Sequence, residues 1–462
     1  MKSKTILFSN FKYDYLNKNE NINTLPIEEI SNLKTDNGYI ESELSTKEFL
    51  YELFNENEIS ILKEQNSEII NNTIKFIPYE FFNENTNKIN SRLFCITQEN
   101  KLFELNFESL NFEEKYIFSD LKNDVIYNNI LYLFDSENKC IVIENNNILT
   151  IENIPYIKSF ISNDDNLYFS IDNIPNKIFI SDCKNLKDIS INFEQYSTIN
   201  IPIEYGTILK VINVKNNIFI ITQYAILKID KTKNFVQKQN FINSLIFKNS
   251  IIQFDDSILF YCENGLYIFD GTDIKQIFNN FLNLSKNAIF VNFNHKLYIL
   301  SLDFKNIIYT YNINTNQISF IKINNIDNIY KINSYSNHCF CVCHKEENSF
   351  KTISLYSNNS NSLTQHLKSK PIFLDSNSLK QIQSLYTNST GEFELKISSD
   401  ITSQIFNISN ITQFKNLTLN GNYFIFEIHS SSKFKLNSIM ITFSEIGELW
   451  LTTQSKIYSN RF

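Results

Sequence analysis

Glycine is scarce in this chain, with seven in 462 residues. Phosphate-cradling loops and dinucleotide-binding turns need several closely spaced glycines, and no such loop is present. Arginine is scarcer still, with only Arg92 and Arg461. Lysine therefore supplies almost all of the 42 positive charges, and the 50 carboxylates outweigh them to a net charge of −8. Those cations form no block in the sequence. A groove that grips nucleic acid needs clustered cations to displace counterions, so specific DNA binding is not expected. The single tryptophan, Trp450, argues against blades of the Trp-Asp repeat type.

Long apolar runs are also missing. None approaches a membrane span. The opening MKSKTILFSNFKYDY has too short an apolar stretch for a signal peptide. The expectation is a soluble protein made in a cytoplasm. The seven cysteines are Cys95, Cys140, Cys183, Cys262, Cys339, Cys341 and Cys343, an odd number with no Cys-x-x-Cys pair. Reduced thiols packed among apolar residues are the simplest reading.

Catalytic patterns do not occur either. There is no Gly-x-Ser-x-Gly and no His-Glu-x-x-His. The five histidines, His295, His338, His344, His366 and His429, form no recognisable acid–base set. In HCFCVCH (338–344), alternation puts Cys339, Cys341 and Cys343 on one face of a strand and His338 and His344 on the other. Zinc needs four ligands converging in a tetrahedron, and a straight strand spreads them along a line. Asp270 and Asp273 in DGTD supply two carboxylates, fewer oxygens than calcium requires, and read as a solvated turn. Asp164-Asp165 and Asp255-Asp256 read as turns too. No catalytic residue, cofactor or metal is assigned, and the chain is read as a non-enzyme.

What the sequence does have is β-forming material: 42% apolar residues and 14% aromatics, mostly Phe and Tyr. The stretch CENGLYIFDG (262–271) holds two of the seven glycines. SILFYC (257–262) and LYIFD (266–270) read as paired strands joined at Asn264-Gly265, a signature of the type I′ turn, and DIKQI (273–277) starts a third. Similar hairpins begin near residues 93, 131, 167, 218, 258, 297 and 339, about every 41 residues. Only the step from 167 to 218 is longer, which places a longer loop near Glu194 to Thr207. Short strands at that period predict a β-propeller, and seven hairpins predict seven blades.

The ends differ from the repeat. Ser45 and Glu48 have the spacing of a capping box before Phe49, Leu50, Leu53 and Phe54, predicting one short helix. TIKFIPYEFF (73–82) reads as a strand completing the ring beside the last blade. After Leu363 the period stops. FELKI (393–397), FKNLTL (414–419), NYFIFEIH (422–429) and FKLNSIMITF (434–443) read as strands, with a hairpin turn at Asn420-Gly421 and a bulge after Leu436. The predicted fold is all-β: a seven-bladed propeller over 91–362, an N-terminal extension with its helix over 1–90, and a C-terminal β-sandwich over 363–462.

GLYIFDGTDIKQI (265–277) resembles a phrase common in propeller proteins of phage tails. PIEEISNLKTDNGYIESE (26–43) looks like their N-terminal segment. SKPIFLDSNSLKQIQSLYTNSTGEFELKI (369–397) and LNGNYFIFEIHSSSKFKLNSIMITF (419–443) look like their C-terminal sandwich. In this order the chain resembles tail nozzle or tail-hub proteins of short-tailed phages, also called packaged-DNA stabilisation proteins. The resemblance implies a structural virion protein that forms a homo-oligomeric, usually sixfold, ring below the portal and adaptor. Such a ring extends the DNA exit channel, helps retain the genome and docks a fibre or plug. DNA would pass through a neutral or acidic lumen without specific binding, and no small-molecule substrate, cofactor or catalytic residue is implied. The alternative is a cellular propeller used as a binding or sensory scaffold, with a ligand-sized pocket at its channel mouth.

Overall fold

The computed structural model describes residues 3–446 apart from 13–23 and a set of shorter segments. Asp164-Asp165 and Trp450 lie outside the described residues. Seven four-stranded antiparallel sheets follow one another along the chain and form the blades of the propeller. The seven hairpins read from the sequence are the second and third strands of the blades, for example Ile130–Asp135 with Cys140–Glu144 and Ser257–Cys262 with Gly265–Phe269. These middle strands are buried on both faces, which is why they read as continuous apolar runs. Every residue of Ile130–Asp135 is buried. Ile130, Tyr132 and Phe134 pack against Phe160 and Phe169 of blade three. Leu131 and Leu133 pack the other way, against Phe94 and Ile96 of blade one. Each such side chain contributes about 1.5–3 kcal/mol through burial.

Asparagine and lysine do much of the turn work that glycine usually does. Asn128-Asn129, Lys215-Asn216 and Asn294-His295 each hold two consecutive residues at positive φ, as a type I′ hairpin requires. Each joins the first strand of its blade to the second, as in the pairing of Tyr127 with Ile130. The turn expected at Asn264-Gly265 is different. Cys262 pairs directly with Gly265, so Glu263 and Asn264 form the turn, and of the three only Gly265 has positive φ. Asp255 turns its chain as read.

The ends depart most from the sequence reading. Ser45–Glu48 is not a helix start. It pairs with Ser349–Ser357 as the outermost strand of blade seven and closes the ring. Thr73–Asn83 does lie beside that blade, but as the innermost strand of blade one. Residues 45–48 and 73–83 therefore belong to the propeller rather than to a separate extension of 1–90. Between them runs a helix the sequence reading missed, Glu56–Asn72, preceded by the single turn Leu50–Leu53. Its capping box is Asn55 with Glu58, one turn beyond the short helix predicted. The extra residues of the long repeat step fall mainly at 182–196, and Ser197–Asn200 is the outer strand of blade three rather than loop.

The remaining N-terminal strands join the C-terminal ones in a single 11-stranded sheet. Its spine is the 20-residue strand Lys380–Ser399. The first half of that strand pairs with Phe434–Glu445 and Thr412–Gly421, the second half with Phe424–Ser430 and Ser403–Ser409. The two halves face each other across one core, where the Phe8 ring meets Phe426 at 6.0 Å. The predicted bulge lies between Leu436 and Ser438. Asn420-Gly421 is strand, not turn. Asn32, buried at φ 57°, ties this sheet to the propeller: its N–H donates to Phe320 O (2.9 Å) and its side chain accepts from Lys322 N (2.8 Å).

Candidate functional site: the axial channel

The first strands of the blades line the central axis. Five of them carry, within their first four residues, an apolar residue followed by lysine: Ile74-Lys75, Leu121-Lys122, Ile157-Lys158, Leu209-Lys210 and Tyr330-Lys331. In all five, the pairing with the second strand slips at that dipeptide. A bulge of this kind leaves one residue unpaired and re-aims its neighbours. Blades five and six carry neither the lysine nor the slip, and present Ile252, Gln253, Phe290 and Asn292 instead.

Two cavities of about 620 and 660 Å³ open on this axis. They share Lys75, Asp124, Lys210, Ile252 and Phe290. Asp124 is the only carboxylate among the described residues lining them. Lys75, from blade one, makes an ion pair with Asp124 from blade two, and both side chains are buried. Tyr335, from blade seven, donates its hydroxyl to the second oxygen of Asp124 at 2.8 Å. The Lys75 ammonium also lies 5.7 Å from the Tyr335 ring centroid. Lys210 donates to the carbonyl of Ile251 at 2.8 Å.

The electrostatics follow from this crowding. Burial pushes the Asp124 carboxyl up, but Lys75, Lys331 and the two hydrogen bonds outweigh it and hold it below the usual range. The nearby Lys75 charge, with burial, lowers Lys331 to about 8. Burial alone lowers Lys210 to about 8. Burial and then Lys248 lower Lys158. Burial, then Asp124, raises the Tyr335 phenol well above its ordinary value. The one carboxylate among the described lining residues is committed to Lys75 and Tyr335.

The residues weighed from the sequence lie elsewhere. Cys339, Cys341 and Cys343 are buried in the core shared by blades six and seven, beside Ile308, Ile321 and Ile353. Cys341 and Cys343 Sγ stand 3.5 Å apart, and burial pushes the Cys341 thiol well up. Phe340, on the opposite face, packs against Phe49 with the rings tilted and their centroids 4.6 Å apart. Asp270 spends its carboxylate on its own turn, accepting from Thr272 N, Thr272 Oγ1 and Asp273 N at 2.7–2.9 Å. Those bonds depress its pKa strongly. The sequence reading rests on the hairpin repeat and does not reach the channel lysines. The apolar-Lys dipeptide ahead of five of the hairpins was the available signal.

No family model matches the chain, and no curated protein matches it. Solved structures similar to it share its propeller. The extracellular domain of a hybrid two-component system from B. thetaiotaomicron matches at TM-score 0.42 and 13% identity over 74% of this chain. The chain spans about half, 46%, of that protein's length. The Pan2 WD40 domain of Neurospora crassa matches at TM-score 0.43 and 7% identity, over 72% of this chain and 98% of that one. YCF48 from Cyanidioschyzon merolae matches at 0.40 and 9%, over 62% and 97%. These likenesses concern fold alone.

Proposed function

We propose that this chain is a non-catalytic structural protein of a phage tail, a subunit of the nozzle or hub ring of a short-tailed phage. One observation carries the reading. Three of the four stretches that resemble such proteins, from opposite ends of the chain, fold into one sheet. Glu41 and Ile40 of the N-terminal stretch pair with Lys435 and Leu436 of the C-terminal one. Residues 27–31 pair with 366–369. The stretches that resemble the two ends of such proteins thus share one module. The test is quantitative mass spectrometry of density-purified particles from the source culture after prophage induction or infection. Copies fixed at about six or twelve per particle, as a closed ring requires, support the reading. Particles that form without the chain end it.

A second reading, a cellular propeller scaffold without catalysis, is favoured by the cavities on the axis. Their volumes suit a small ligand. That reading calls for a soluble monomer that is absent from particles and binds a ligand in the channel.

A further inference from the structure

We propose that the axial channel is a binding site for a small phosphoryl-bearing anion, held by Lys75, Lys210 and Lys331 with support from Lys158. The inference depends on neither reading above, because it rests on the channel wall alone.

Three observations converge. First, an acidic chain directs lysines from blades one, three, four and seven toward one axis, against a single carboxylate. Lys122 and Lys248 add to the lining at one mouth. Like charges crowded in a partly buried space repel, and the fold alone gains nothing from them. A bound anion supplies the missing counter-charge. Second, the same local device recurs: five inner strands slip in register at an apolar-Lys step, and the two blades without the lysine do not slip. Third, two residues lining the second cavity keep an unsatisfied polar atom: Asn333 Nδ2 and Asn292 Oδ1 are shut off from solvent without a hydrogen-bond partner, and a turn of the Asn333 side chain toward the cavity would let its N–H donate to an oxyanion.

The wall also selects the class. Lysine supplies every cation among the described residues lining the two cavities. Lysine ammoniums are point charges that can converge from several directions on a tetrahedral group. Asp124 holds Lys75 in place when the site is empty.

The experiment titrates the full chain with inorganic pyrophosphate, inorganic phosphate and citrate by calorimetry, and follows thermal unfolding in parallel. Pyrophosphate is expected to bind most tightly, to raise the melting temperature, and to weaken as salt is added. The double variant K210M/K331M should lose about tenfold or more in affinity, by loss of two charge-assisted bonds. Its ligand-free melting temperature should be unchanged or higher, because two crowded cations are gone, so loss of binding is separable from loss of fold. Lys396→Met, on the distant C-terminal sheet, should bind as the parent does. Citrate binding as tightly as pyrophosphate would overturn the phosphoryl assignment. Absence of pyrophosphate binding at millimolar concentration, or equal binding by K210M/K331M, would overturn the site itself.

Discussion

The Tyr335 hydroxyl donates to Asp124 at 2.8 Å, joining blade seven to blade two past the inner strand of blade one. The two residues are 211 positions apart and meet only because the ring closes. Lys75 reaches the same carboxylate from blade one. Asp124 thus ties three blades together at the seam where the chain's early and late parts meet. Asp124→Ala leaves Lys75 buried without its counter-ion, and a cost of about 3–5 kcal/mol is expected. Tyr335→Phe removes one hydrogen bond to a charged group, at about 1.5–3 kcal/mol. Urea unfolding measures both. An Asp124→Ala variant as stable as the parent would show that the seam does not depend on this cluster.

The channel lysines predict an unusual response to alkali. Lys210 and Lys331 stand near 8 when folded, below the ordinary 10.5. Below pH 8 both states hold these protons and the folded state bears the full cost. Above 8 the folded state sheds protons that the unfolded chain keeps, so stability rises with pH. Buried thiols act with the opposite sign. Burial raises Cys95, Cys140 and Cys262 to about 12 from an ordinary 9. Above 9 the unfolded chain loses thiol protons that the folded one retains. Stability should therefore climb from pH 8 to 9 and then level or fall. Urea midpoints across that range check the climb, and K210M/K331M should flatten it. A parent curve that is flat or falling from 8 to 9 would contradict the assignment.

Asn66 is a second point of leverage. It interrupts the helix Glu56–Asn72 with φ −128° and ψ 25° and is buried. Its amide donates to Leu110 O (2.8 Å) and Leu62 O (3.0 Å), and its oxygen accepts from Phe112 N (2.9 Å). The side chain pins the helix to the outer strand of blade one. Asn66→Ala strands these buried backbone groups, and a loss of about 2–3 kcal/mol is expected. Hydrogen exchange should speed up at the Phe112 amide more than in distant blades. Uniform exchange across the molecule would mean the contact is not local.

Gly391 marks where the long strand Lys380–Ser399 passes from one half-sheet to the other. Its φ is +84°, and a Cβ there would lie 2.3 Å from Lys433 O and 2.8 Å from Phe434 Cα. Both atoms are backbone and cannot rotate aside. Gly391→Ala should cost about 2–4 kcal/mol, more than conformational entropy alone explains. Near-parental stability on thermal unfolding would mean the corner relaxes.

Much of the fold was legible in the sequence, and the reason is local. A blade's middle hairpin is an apolar run, a turn and another apolar run, so alternation and turn chemistry reveal it without tertiary information. The repeat near 41 residues, the strands after residue 380, the bulge beyond Leu436 and the packing of six of the seven cysteines, all but the half-buried Cys183, follow from the same signals. Where Ser45–Glu48 belongs does not. Its four residues read equally well as a helix start, and only the open edge of blade seven, some 300 residues later, makes them a strand. The joining of the described N-terminal strands within residues 3–42 to the C-terminal strands is likewise a pairing between chain ends that no local pattern encodes. The channel is the clearest case. Each apolar-Lys step is an ordinary amphipathic strand start by itself. Ring closure brings four of those lysines around one carboxylate, and only there does the Lys75 charge act on Lys331 and burial act on Lys210.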